Sequence, residues 1–91
     1  MAALDLLGRR WTLRVIWELH QADGPSGFRD LQRRCDAMSS SVLSARLTEL
    51  REAGIATPTD ESTWRLTPLG DGLVTAMGPL LDWSHTWAAR Q

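Results

Sequence analysis

From Met38 to Gly54 the chain reads M-S-S-S-V-L-S-A-R-L-T-E-L-R-E-A-G, one helix with both ends marked. Ser39 or Ser40 can cap its start, because a serine oxygen accepts a bond from a free N–H of the first turn. Gly54 can stop it, since glycine takes the left-handed conformation after a helix at little cost. Leu43, Leu47 and Leu50 recur at i, i+4 and i+7 and make one apolar face. At about 100° per residue, Ser41, Ala45, Thr48 and Glu52 lie opposite that face, with Ser44 beside them. A surface helix with a serine cap would read the same way. So would a helix built to enter a DNA major groove, where short side chains allow close approach and hydroxyls bond phosphates or base edges.

The totals bound what surrounds this helix. Ninety-one residues make one small domain, residues 1–91, with a modest core that a second subunit could extend. No run is long enough to span a membrane. The start M-A-A-L-D lacks a signal-peptide pattern, and the single cysteine cannot form an internal disulfide. A cytoplasmic protein is the simplest account. Net charge is −1 with a pI near 6.0, without the basic excess usual in DNA binders, so local charge must decide. All ten basic residues are arginine. Arg9, Arg10, Arg14, Arg29, Arg33 and Arg34 fall in the first half, whereas Asp60, Glu61, Asp71 and Asp82 fall in the last third.

In chain order, Ala2 to Leu7 forms a short helix ended by Gly8. Trp11 to Gln21 forms a second, with Trp11, Val15 and Leu19 on a buried stripe beside Leu13 and Ile16. Ala22 to Gly27 reads as a turn. Phe28 to Cys35 is a short helix with Phe28, Leu31 and Cys35 inward and its arginines outward. Asp36-Ala37-Met38 turns into the central helix, giving a helix-turn-helix. Beyond Gly54, Ile55–Thr57 and Thr63–Leu66 form a hairpin around a turn at 58–62. Thr67-Pro68 opens a last helix by cap and first-turn proline. Leu69, Leu73, Met77 or Ala76, Leu80, Trp83 or Ser84, and Trp87 then recur at helical spacing, with a kink or break expected at Gly78-Pro79. The fold class is mainly α with a small β-hairpin.

Six stretches in register are more specific. They are Leu6-Leu7-Gly8-Arg9-Arg10-Trp11-Thr12-Leu13, Phe28-Arg29-Asp30-Leu31, Met38-Ser39 with Val42-Leu43-Ser44-Ala45-Arg46-Leu47, Leu50 with Gly54-Ile55, Leu66-Thr67-Pro68-Leu69-Gly70, and Asp82-Trp83. From Leu4 to Trp83 the chain resembles the HxlR-type winged helix-turn-helix regulators. The resemblance implies a homodimeric bacterial transcription factor that binds double-stranded DNA through a recognition helix and wing and dimerises through its terminal helices. Carried over by position, Ser39, Ser40, Ser41, Ser44, Ala45, Arg46 and Thr48 belong to the recognition segment. Arg65 in the returning strand can reach the DNA backbone, and Arg29, Arg33 and Arg34 of the preceding helix either do the same or form a solvated helix face. Arg46 has two uses open to it, a phosphate or an acid within the domain. The implied dimer interface takes Leu4 and Leu7 from the first helix and Leu73, Met77, Leu80, Trp83 and Trp87 from the last.

The chain departs from that family pattern in three places. The wing is short, with Asp60 and Glu61 at its tip, which phosphates would repel. Ser40 and Ser41 stand where a proline and a basic residue are common. The N-terminal cysteine of many members is absent, and Cys35 falls on an apolar face. Packing suits Cys35 best, although Arg33 and Arg34 nearby leave a redox role open. His20 and His85 have no partners at ligand spacing, so no metal or other cofactor is expected. No constellation suggests catalysis, and Asp5, Glu18 and Asp82 read as surface groups. Five tryptophans are many for this length. Trp11 and Trp64 suit the core. Trp83 and Trp87 share a face with Leu80, at a subunit interface or around a small-molecule effector pocket.

The sequence thus points to a transcriptional regulator that places two recognition helices in successive major grooves of a roughly palindromic operator. The other reading is a winged helix protein-interaction module with weak or lost DNA binding, favoured by the acidic wing and neutral total.

Overall fold

The computed structural model describes residues 2–90. Its elements run α1 (Ala2–Leu7), α2 (Thr12–Gln21), β1 (Ser26–Gly27), α3 (Phe28–Arg34), α4 (Ser40–Glu52), β2 (Ala56–Pro58), β3 (Thr63–Leu66) and α5 (Pro68–Ala88). Leu43, Leu47 and Leu50 of α4 point inward and are almost wholly buried. They meet Val15, Ile16 and Leu19 of α2, Leu31 of α3, and Val74 and Met77 of α5 in one core. Each such side chain contributes roughly 1.5–3 kcal/mol through burial. Trp11 and Trp64, expected inside, are half-buried and pack on the rim.

The ends of α4 follow from side-chain and glycine chemistry. The Ser39 oxygen accepts from the Val42 N–H at 3.2 Å, so the helix starts at Ser40 and Met38 packs into the core ahead of it. Gly54 takes a φ of +77°. Its N–H donates to the Arg51 carbonyl at 3.0 Å, and the Ile55 N–H donates to the Leu50 carbonyl at 2.9 Å. This pair of reversed bonds is a Schellman stop, closed by apolar Ile55 and Leu50.

α5 starts from the same place. The Thr67 hydroxyl donates to the Gly54 carbonyl at 2.6 Å, and its oxygen accepts from the Gly70 N–H at 3.1 Å. One residue therefore caps α5 and ties it to the end of α4. Gly70 lies at the crossing, where an added Cβ would stand 2.3 Å from the Ile55 carbonyl oxygen and 3.2 Å from the Leu66 side chain. Gly70→Ala is expected to destabilise the fold by about 1–3 kcal/mol through overpacking. A thermal melt checks this, with a midpoint lowered by roughly 4–8 °C for each kcal/mol.

The sheet differs from a two-stranded hairpin. Its order is β1-β3-β2, all antiparallel, with Ser26 opposite Trp64 and Ala56 opposite Leu66. β1 lies in the segment read as a turn; it is two residues long, and its pairing with distant β3 leaves no local pattern. The wing turn is closed by the Thr59 N–H to the Thr63 carbonyl at 2.8 Å, with Ser62 at a φ of 60°. Its tip, Asp60 to Ser62, is exposed.

Of the kink or break expected at Gly78-Pro79, the break does not occur, since α5 runs through Pro79 to Ala88. Proline removes the bond to the carbonyl four residues back. Thr75 and Pro79 both face solvent, so water can satisfy that carbonyl. Beyond Leu81 the helix leaves the body as an exposed arm, and the molecule extends 43 × 27 × 24 Å. No helix among the described residues is long and apolar enough to cross a membrane.

Candidate nucleic-acid interface

The outer face of α4 carries Ser41, Ser44, Ala45 and Thr48, all exposed and turned away from the buried leucines, and Ser40 is exposed at the helix start. Short side chains on a helix fixed by a full core make a rigid, close-fitting surface. Ser39 is also exposed, but its oxygen is used in the cap. The Ser41 hydroxyl lies 3.4 Å from that of Ser39.

A strained turn aims this helix. Asp36 and Ala37 have φ values of 59° and 55°, a region costly for residues with a Cβ. Surrounding bonds hold it there. Arg14 donates to the Arg34 carbonyl at 2.9 Å and to the Asp36 carboxylate at 3.1 Å. Gln32 donates to the Met38 carbonyl at 2.8 Å and to the Ser40 hydroxyl at 3.1 Å. Nothing in the spacing of the sequence singles out Gln32, because its partners depend on how the turn folds.

The arginines divide into engaged and free. The Arg46 Nε lies 2.7 Å from Glu49, and its terminal nitrogen donates to the Arg10 carbonyl at 3.2 Å. Arg9 meets the other oxygen of Glu49 at 2.6 Å. The Arg46–Glu49 contact is close but not aligned as a hydrogen bond. Of the two uses open to Arg46, the internal one is seen in the fold. Arg34 is also drawn inward, donating to the Glu18 carbonyl at 3.1 Å, with the Glu18 carboxylate 3.5 Å away. Glu18, expected at the surface, is the half-buried anchor of this network and also meets Arg14 at 2.9 Å. Arg33 pairs with Asp30. Arg29 and Arg65 are exposed and, among the described residues, form no ion pair. Arg65 borders a shallow cleft of about 280 Å³ with His20 and Asp71.

Cys35 is fully buried at the end of α3. Burial, followed by the nearby Glu18 carboxylate, pushes its thiol above the ordinary range, outweighing Arg14 and Arg34. It is a protonated packing group and not an activated thiolate.

The terminal helices carry a second surface. Leu4, Leu69, Leu80, Trp83 and Trp87 are each more than half exposed. The Trp83 and Trp87 rings stack with centroids 6.2 Å apart. Leu7 and Leu73 are half-buried against the core. Met77, expected on this surface, is 5 % exposed and belongs to the core. α5 has two apolar stripes one residue apart, and Met77 lies on the inner one with Gly70 and Val74. Leu69, which the sequence did not single out for this surface, lies on the outer one. Ala53, Ile55, Pro68, Leu69 and Leu73 line an apolar groove of about 380 Å³ beside it.

Comparison with known proteins gives a consistent set. A family model described as HxlR-like helix-turn-helix matches residues 6–91. The uncharacterized HTH-type transcriptional regulator YvaP of Bacillus subtilis (strain 168) is 28% identical over 92 residues, covering 93% of this chain and 82% of that protein. The crystal structure of a possible HxlR family transcriptional factor from Thermoplasma volcanium GSS1 superposes with a TM-score of 0.85 at 26% identity, covering 94% of this chain and 81% of that one. Quinone-bound YodB from B. subtilis matches with a TM-score of 0.75 at 29% identity, covering 99% and 93%.

Proposed function

Since the chain belongs to the HxlR-like helix-turn-helix family of transcriptional regulators, we propose that it reads a roughly palindromic DNA operator as a homodimer. The observation that carries this reading is the outer face of α4, an exposed row of hydroxyls on a helix whose other side is locked into the core. Ser41, Ser44 and Thr48 reach base edges or phosphates, and Ala45 admits close approach. Arg29 and Arg65 bind the backbone from α3 and β3. In the dimer, Leu4, Leu80, Trp83 and Trp87 pack against their counterparts, flanked by Leu7 and Leu73. The two α4 helices then enter major grooves about 34–36 Å apart. The acidic wing tip stays off the phosphates.

Arg29 and Arg65, two of the arginines that form no ion pair among the described residues, give about four phosphate contacts per dimer. The logarithm of affinity is therefore expected to fall with the logarithm of salt concentration with a slope of roughly −3 to −4. Titrating a labelled duplex from low to physiological salt tests this. A slope near zero would remove the backbone contacts from the reading.

A second reading is favoured by one observation: most arginines near the site are held in internal ion pairs while Asp60 and Glu61 are exposed. On that reading the winged helix binds a protein and DNA binding is weak. Duplex binding at low salt separates the two.

A further inference from the structure

We propose that Gln32 is a positioning residue of the DNA-reading face, orienting the Ser40 hydroxyl as a hydrogen-bond donor toward the nucleic acid. The inference rests on the operator-binding reading above and concerns how that face is set.

The argument starts from donor and acceptor inventory. The end of the Gln32 side chain lies 2.8 Å from the Met38 carbonyl oxygen, which can only accept. The group facing it must therefore be the amide NH₂. The same nitrogen lies 3.1 Å from the Ser40 oxygen. An NH₂ group only donates, so Ser40 accepts there and its own proton points elsewhere. A serine inside a helix commonly gives that proton to the carbonyl four residues back. Ser40 is the first residue of α4, and the residue four back is Asp36, in the left-handed turn. Among the described residues Ser40 donates to no protein acceptor.

Ser40 is exposed at the N-terminal end of α4, the end from which a recognition helix reaches base edges. Its free proton suits a phosphate oxygen, the O6 or N7 of guanine, the N7 of adenine or the O4 of thymine. A hydroxyl that accepts one bond donates a stronger one. Gln32 thus converts an indifferent hydroxyl into a directed donor, from a helix that does not itself enter the groove. Ser39 and Ser41 receive no such bond from α3.

A double-mutant cycle tests this. Duplex affinity at low salt is measured for the unaltered protein, Gln32→Ala, Ser40→Ala and the double variant, with a thermal melt of each. Each single change is expected to weaken binding about three- to tenfold, the range of one hydrogen bond. The double change is expected to weaken it no more than the worse single. Losing the Met38 bond lowers the melting point with or without Ser40, so that effect is separable. Gln32→Glu gives a second readout. Its carboxylate accepts the Ser40 proton, so it should impair binding more when Ser40 is present than when Ser40 is alanine. General repulsion of phosphates is the same in both backgrounds. Additive losses in the cycle, or an equal effect of Gln32→Glu in both backgrounds, would overturn the role of Gln32 while leaving DNA binding standing. If the unaltered protein binds no duplex at low salt, the operator reading falls and this inference with it.

Discussion

Ser44→Glu is expected to abolish the proposed operator binding and to leave the fold intact. Ser44 is exposed near the middle of the hydroxyl face of α4, so a longer side chain meets no neighbour within the protomer. Substitutions at such positions change stability by no more than about 0.5 kcal/mol. At the interface the effect is large. A carboxylate facing phosphates or base acceptors adds like-charge repulsion and removes a close contact. Juxtaposed like charges at an interface cost several kcal/mol, so affinity is expected to fall at least about a hundredfold. Ser44→Ala, which removes only the hydroxyl, should weaken binding about three- to tenfold. Titrations of both variants on one duplex, beside their melting curves, check the pair. Equal affinity for Ser44→Glu and the unaltered protein would move the reading face elsewhere.

On the proposed dimer, Trp83→Glu is expected to separate the subunits and to weaken operator binding by about 10²–10⁴-fold. Trp83 is 60% exposed in the protomer, and Leu80, Trp83 and Trp87 form one face of the projecting arm. Folded chains seldom leave such a contiguous apolar face to water. Tryptophans at the centre of an interface commonly contribute 2 kcal/mol or more, and a carboxylate there would also be buried without a partner. The protomer should keep its helix content, because its core lies at Val74 and Met77 and not at the arm. The loss of DNA affinity comes from valency, since a monomer holds one half-site without the effective concentration that linkage supplies. Mass in solution at micromolar concentration reads the first effect and duplex titration the second. A monomeric unaltered protein would overturn the two-half-site arrangement.

Much of the helical framework is legible because it is local. The cap at Ser39, the stop at Gly54 and the cap at Thr67 each depend on one residue and its nearest turn. The leucines of α4 declare their face because polar residues surround them. α5 is different: apolar on two sides, it has a periodicity that cannot say which stripe serves its own core, so Met77 was expected on the wrong one. β1 could not be read because two residues have no period, and their strand exists only through Trp64 and Thr63. Arg46 was ambiguous, and Glu18 was expected at the surface, for a related reason. A long charged side chain pairs with whatever the fold brings near, and their partners lie as much as 36 residues away. The exposed hydroxyl face of α4 was visible as a pattern of residue types. What sets it, the strained Asp36-Ala37 turn and the Gln32 bonds, was not.

The central claim is that α4 reads DNA sequence in a dimer. Selection from a random pool of duplexes tests it most directly, with binding first at low and then at physiological salt. The account predicts enrichment of a roughly palindromic site, with half-sites about one helical turn apart, and loss of that enrichment with Ser44→Glu. Absence of binding even at low salt, or binding that enriches no sequence, would contradict it and turn attention to a protein partner of the wing and the tryptophan-bearing arm.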